Sequence, residues 1–433
     1  LKMMNNKPAD LADYDDLLEY NDNNVIPQKA AANGGENSKK ILDYTGVHST
    51  GFKEFLLKSE LNRAIKQSGF EHPSEVQQQC IPQAIEGKDI ICQARAGMGK
   101  TAVFIIAILN QIEQETAKSG YAIILGNVRE LANQIKNEFD RFTEFMPWVR
   151  KHAFLGGQPI QEHIKILKNP EKAPHIIIGT PGRVIELIKL GHIKGENNKI
   201  FVLDECDKLI DETDMREQVQ KIFIKCASEK QVLMFSATFP EHTKQVCKKF
   251  MKDPFELFID SDSKLVLHGL KQYFVKLEEN QKIRKLIQLL DDLDFNQVIV
   301  FTKNQQYAQK LNEIIQQEKF PSVVCTGNMK TDQRLKVYQE FKDGKYRVMV
   351  STDVLGRGID IEKINVVFNY DMPKEVNQYM HRVGRAGRFG TKGLAISFIS
   401  SEEDTKILED IQSQFEVKIE DLPSSIDKAT YMN

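Results

Sequence analysis

From about residue 50 onward, hydrophobic positions fall into short runs separated by longer amphipathic stretches. Runs at 89–92, 122–125, 176–178, 200–203 and 232–235 are almost wholly apolar. Short apolar runs bounded by polar residues are the pattern of strands buried on both faces of a parallel sheet. The segments between them, such as 130–145 and 215–226, space their apolar residues as helices do. This alternation predicts a doubly wound α/β domain. The pattern weakens near Asp253-Pro254, and the polar stretch 260–265 reads as a linker. A second series follows, with runs at 298–301, 323–325, 347–350, 366–368 and 394–398. The expected architecture is therefore two tandem α/β lobes, 47–259 and 266–433.

At 433 residues the chain is too long for one ordinary core, which agrees with two lobes and a tail. Residues 1–46 carry Asn-rich stretches and few apolar positions, and read as a disordered tail. Its segment 10–22 holds six acidic residues and no basic one. Two readings are open there: a solvated tail, or a docking motif around Leu17-Leu18-Glu19-Tyr20 that orders on a basic partner.

Hydrophobic content of 41% with 28% charged residues describes a folded globular protein. The longest apolar run, 102–109, is too short to span a bilayer, and no secretory pattern opens the chain, so no membrane role is expected. Six scattered cysteines form no paired motif, which predicts a reducing compartment. A net charge of −2 argues against indiscriminate polyanion binding. Any nucleic acid would have to be held in a local groove.

The chemistry concentrates at strand ends. Asp204-Glu205-Cys206-Asp207 follows the run 200–203, and ligands of open parallel sheets bind beyond the strands' carboxyl ends. Ala94-Arg95-Ala96-Gly97-Met98-Gly99-Lys100-Thr101 follows another run and opens a long apolar helix. Backbone N–H groups of such a turn cradle phosphates, Lys100 reaches the β- and γ-phosphates, and the Thr101 hydroxyl holds Mg²⁺. The strict pattern has Gly where Ala94 stands; Ala is small enough for the turn. Asp204 would share the ion, and Glu205 would polarise the attacking water. Cys206 reads as a packing residue, since no basic neighbour in sequence would activate it. Ser236-Ala237-Thr238 ends the next strand, either as a plain cap or as a bridge from the acidic motif to the second lobe. His381-Arg382-Val383-Gly384-Arg385-Ala386-Gly387-Arg388 brings Arg385 and Arg388 three residues apart, on one face of a helical turn. Guanidiniums so placed suit phosphate oxygens and the charge that develops on them.

These four signatures, in this order, resemble the DEAD-box RNA helicases of superfamily 2 over roughly residues 50–420. The resemblance implies two RecA-like lobes, ATP with Mg²⁺, and RNA-stimulated ATP hydrolysis. It also implies a grip on single-stranded RNA or a short duplex through phosphates and sugars, largely independent of sequence. Phe52, Gly69-Phe70 and Gln77 resemble the adenine-reading motif, with Phe52 stacking on the base and Gln77 bonding its edge. Arg129, Gly156-Gly157 and Thr180-Pro181-Gly182-Arg183 resemble the RNA contacts of the first lobe. Thr352 and Arg357 resemble those of the second, with Asp360 near the ribose. Ser236, Thr238, His381 and Arg382 are expected to couple the two sites.

Cys206, the Leu17-Leu18-Glu19-Tyr20 segment and the C-terminal Phe415-Glu416-Val417 are similar to the DECD-box helicases of nuclear mRNA splicing and export, components of the transcription–export complex. That likeness implies nuclear residence, export and splicing factors as partners, and a monomeric catalytic unit. Four departures stand out. Asn127-Val128 replace a Pro/His-Thr pair, removing a hydroxyl from an implied RNA contact, and Thr331 replaces a Gln. Thr352-Asp353 and Gly384 follow the general DEAD-box form. The rival readings are an ATP-gated RNA clamp that serves as an assembly platform, and a cytoplasmic translation-type helicase. A DNA translocase has no support beyond the superfamily.

Overall fold

The computed structural model describes residues 51–94, 97–259, 270–353, 361–387, 392–415 and 417–432. The expected tail 1–46 and linker 260–265 lie outside the described residues.

Two seven-stranded, all-parallel sheets form the frame. The first contains β1 (Ile90–Gln93), β2 (Ala122–Gly126), β3 (Lys151–Phe154), β4 (Ile176–Gly179), β5 (Ile200–Asp204), β6 (Gln231–Ser236) and β7 (Phe255–Phe258), in the order β3-β4-β2-β5-β6-β1-β7. The second contains β8 (Leu270–Lys276), β9 (Gln297–Phe301), β10 (Ser322–Cys325), β11 (Val348–Ser351), β12 (Ile364–Asn369), β13 (Gly393–Ile399) and β14 (Glu420–Asp421), in the order β10-β11-β9-β12-β13-β8-β14. Helices cover both faces of each sheet, as tandem RecA-like lobes require.

Side chains alternate between two cores, as the period of a strand demands. Along β5, Ile200 and Val202 enter the cluster on one face, while Phe201 and Leu203 enter the other. In the second lobe Val298 and Val300 of β9 part from Ile299 and Phe301 in the same way. Both faces are dry, so the strands read as unbroken apolar runs.

The hydrophobic pattern missed four strands. Lys151-His152-Ala153-Phe154 forms the edge of the first sheet and is only partly buried, so it lacks an apolar run. Phe255–Phe258 is the opposite edge, just past Asp253-Pro254, where the pattern fades. Leu270–Lys276 is mostly half-buried, and Glu420–Asp421 is two exposed residues pairing with it. Among the described residues, no helix is long and apolar enough to cross a membrane. All six cysteines are buried free thiols.

Close contact between elements fixes where β4 ends, just before Thr180. At the end of β4, a Cβ added to Gly179 would lie 2.7 Å from the Phe154 carbonyl oxygen and 2.8 Å from Val184. Gly179→Ala is expected to destabilise the first lobe by about 1–3 kcal/mol through overpacking. The check is a lowered urea midpoint for that lobe with an unchanged slope.

Candidate active site and interlobe contacts

Strand order places the chemistry. β5, β6 and β1 are neighbours, with Asp204 beside Phe235 and Gln93 beside Ser236. Their carboxyl ends therefore bring the acidic motif, Ser236 and the phosphate loop together. Gly97 (φ 86°) and Gly99 (φ 74°) turn the loop into the helix Lys100–Gln111. At Gly99 a Cβ would lie 2.2 Å from the Gln77 amide nitrogen, so any larger residue would have to hold the left-handed φ of 74° and displace the Gln77 amide from the loop. Lys100 Nζ donates to the Ala94 carbonyl.

A cleft of about 490 Å³ opens over this loop. The first lobe lines it with Gln77, Phe70, Lys100, Thr101, Asp204 and Glu205, and the second with Glu362, His381 and Arg385. Arg385 is buried and donates from Nε to the His381 carbonyl (2.9 Å). Arg95, Ala96, Arg357, Asp360 and Arg388 lie outside the described residues.

Glu205 sits at φ 51°, ψ 50°, a left-handed conformation rare for a residue with a side chain. It turns β5 sharply into the helix Cys206–Asp211, and its N–H donates to Asp204 Oδ1 (3.0 Å). Burial, and then the negative charge of Glu205, push the Asp204 carboxyl up to about 7. A buried carboxylate so crowded calls for a cation, and Thr101 lines the same cleft. The pair fits Mg²⁺, which usually takes one or two protein ligands together with phosphate oxygens. Among the described residues no group of three or more His, Cys, Asp or Glu could hold a metal alone. Cys206 is buried with its thiol pushed well up by burial, as suits a packing residue.

The coupling residues divide. Ser236 Oγ and Thr238 Oγ1 donate to the two oxygens of Asp207 (2.7 and 3.1 Å), and His381 Nε2 lies 3.7 Å from Oδ2. Asp207 thus joins both lobes; as the last member of the acidic motif it carried no assigned role in the sequence. Arg382 turns inward instead. It pairs with both Asp353 oxygens (2.7 and 3.0 Å) and donates to the Asp371 carbonyl (2.7 Å). It is 1% exposed, so it braces the second lobe rather than reaching across.

The adenine motif is also redistributed. Phe52 is buried and is not among the residues lining the cleft. Its ring supports Phe70 edge-on (6.0 Å), Phe142 packs against Phe70 (5.6 Å), and Phe70 faces the cleft. Gln77 closes a capping box with Ser74, accepting from its N–H (2.9 Å), and donates to the Gly99 carbonyl (3.3 Å).

On the other side of the lobe, Arg129, Gly156 and Gly157 come together, but Arg183 is withdrawn. Its Nε reaches Glu186 (3.0 Å), Nη1 meets His163 (2.7 Å) and Nη2 donates to the Gln158 carbonyl (2.8 Å). Arg183 therefore holds the Gly156-Gly157 loop from below. Thr180 and Pro181 start the helix Pro181–Lys189. Thr352 is half-buried at the end of β11, beside Asp353.

Here the lobes meet. Arg334 makes a bidentate pair with Glu130, both buried, with Nη2 to Oε2 at 2.9 Å. Arg129 donates to Thr331 Oγ1, which donates to the Gly156 carbonyl (3.0 Å). Glu130 and Arg334 stand in the stretches Arg129-Glu130-Leu131-Ala132 and Thr331-Asp332-Gln333-Arg334, which the family resemblance marks as contact motifs, but nothing in the sequence pairs them with each other.

A phosphate loop and a paired-carboxylate strand end, completed across a cleft by a second sheet's arginine, define a two-lobed nucleotide hydrolase. The chain belongs to the DEAD/DEAH box helicase family and is an ATP-hydrolysing RNA helicase. Residues 74–246 match that family, and residues 281–390 match the helicase conserved C-terminal domain. The chain is 50% identical to the ATP-dependent RNA helicase SUB2 of Saccharomyces cerevisiae, covering 97% of this chain and 98% of that one. It is 50% identical to the ATP-dependent RNA helicase uap56 of Schizosaccharomyces pombe, covering 98% of each. Its fold is similar to that of S. cerevisiae Dbp5 bound to RNA and ADP BeF3: TM-score 0.80, 30% identity, 86% of this chain and 95% of that one.

Two outcomes follow. Arg334→Met strands a buried Glu130, and breaking such a pair costs about 3–5 kcal/mol. Contact between the lobes should be lost, seen as a longer interlobe distance by energy transfer, and Glu130→Gln in the same chain should restore part of it. The second concerns His163, which burial and then Arg183 hold down from an ordinary 6.5 to about 4. The unfolded chain takes up that proton first, so first-lobe stability should fall as pH drops from 6.5 towards 4. His163→Gln should flatten this slope in urea titrations.

Proposed function

We propose that the chain is an RNA-stimulated ATPase whose two lobes close on ATP and single-stranded RNA together. The observation that carries this reading is the cleft shared by Lys100, Asp204 and Glu205 of one lobe with His381 and Arg385 of the other. Phe70 stacks on the adenine with Phe52 and Phe142 behind it. The loop N–H groups and Lys100 hold the phosphates, and Glu205 orients the attacking water. Asp204 and Thr101 are the residues that would hold Mg²⁺, which supplies positive charge to the phosphates when bound. Arg385, with Arg388, meets charge developing on the γ-phosphate, a contribution of about 10³–10⁵ where an arginine acts this way.

RNA lies across Arg129, Gly156, Gly157, Thr180 and the second-lobe Thr352 and Arg357. Because both ligands prefer the closed lobes, each favours binding of the other. Bending one strand in this grip would separate a short duplex without travel along it. The acidic motif's Cys206, and 50% identity to SUB2 and uap56, support work in nuclear mRNA splicing and export with protein partners. A second reading, an ATP-gated clamp that loads partners onto RNA, is favoured by the buried Glu130–Arg334 pair, which fixes one arrangement of the joined lobes.

Glu205→Gln tests the assignment. ATP and RNA affinity should persist while RNA-stimulated turnover falls by about 10²–10⁴. Normal turnover in this variant would refute the role given to Glu205. Duplex unwinding measured beside partner recruitment, in the same variant, separates helicase from clamp.

A further inference from the structure

We infer that Thr331 is a positioning residue through which the second lobe assembles the first lobe's RNA grip on closure. The inference rests on the RNA-binding reading above, and adds a residue that reading leaves unassigned.

Thr331 opens the helix Thr331–Lys342 of the second lobe and is 2% exposed. Its hydroxyl accepts from Arg129 Nη1 and donates to the Gly156 carbonyl at 3.0 Å. One oxygen from across the cleft therefore sets both an arginine and a loop carbonyl of the first lobe. The fit is tight: a Cβ on Gly157 would lie 2.3 Å from Thr331 Oγ1 and 3.0 Å from Arg129 Nη1. Gly157 is also at φ +84°, so the loop reaches this position only as glycine. Arg129 spends one of five donors on Thr331, which leaves the rest of its fork for phosphate oxygens. Because the hydroxyl arrives only when the lobes meet, the grip it builds exists only in the closed form. Closure and RNA affinity are then linked through this atom.

The test is RNA affinity by fluorescence anisotropy, with and without a non-hydrolysable ATP analogue, for the full chain, Thr331→Val and Thr331→Ser. Valine keeps the volume and leaves the Arg129 donor and the Gly156 acceptor unpaired. With the analogue, Thr331→Val should bind RNA about tenfold more weakly than the unaltered chain. Without it the two should agree, and Thr331→Ser should behave as the unaltered chain in both conditions. Equal affinity of Thr331→Val and the unaltered chain with the analogue would overturn the inference. So would a loss of the same size without the analogue, which marks a general defect. If the unaltered chain itself binds RNA no better with the analogue, the reading in which the lobes close on ATP and RNA together fails instead.

Discussion

Negative charge at the end of one strand is the constraint on which the site depends. β5 delivers Asp204, Glu205 and Asp207 within four residues, and Asp204 and Asp207 are almost fully buried. Like charges in a dry environment repel strongly and lose hydration, which is why the Asp204 carboxyl is held so high. Each neighbour answers part of that problem. Lys100 comes from the phosphate loop, Ser236 and Thr238 cover Asp207, and His381 and Arg385 come from the second lobe. The first lobe does not balance the cluster alone. Cationic groups of the opposing lobe are drawn to it by this charge, while an anionic phosphate needs Lys100, Arg385 or a bound cation to approach it.

A second contact, beside Gly156 and Thr331, fixes how the lobes meet. A buried ion pair is a poor stabiliser, since desolvation takes back most of the Coulomb gain. Its value at Glu130–Arg334 is geometric: two planar groups matched bidentately admit one relative placement of the lobes. Lys208 and Glu375 add only a weak exposed pair at 3.3 Å. The lobes therefore meet in two places, at the cleft, where charge dominates, and at Glu130–Arg334, where shape does.

The central strands were legible because burial on both faces leaves an apolar run, and the phosphate loop because glycine geometry leaves a spacing. Edge strands such as Lys151–Phe154 left neither. Site residues were legible by type and less so by direction. Arg183 and Arg382 stand in motifs rich in phosphate-binding residues, yet both guanidiniums are spent inside their own lobes. Sequence order also could not rank Phe52 against Phe70, because which ring faces the cleft is decided by packing on Phe142, 72 residues beyond Phe70. Glu130 and Arg334 each stand in a legible motif, but their pairing, 204 residues apart, is set by how the lobes meet and leaves no local trace.

The departure at Val128 gains a physical meaning from this interface. Val128 is the N-cap of the helix Arg129–Phe142, and it offers no side-chain cap to the first N–H groups. A Thr at that position supplies such a cap, typically about 1 kcal/mol of helix stability. The helix start is instead held from across the cleft, since its first two residues, Arg129 and Glu130, bond Thr331 and Arg334. These side-chain bonds leave the first N–H groups uncapped, but they hold the first turn where the lobes meet. A first turn less secure when the lobes are apart, and fixed when they meet, raises the difference between the two forms. The contacts at Arg129 and Glu130 set the balance between the two forms, and the differential affinity of ATP and RNA for the closed one sets how far they shift it.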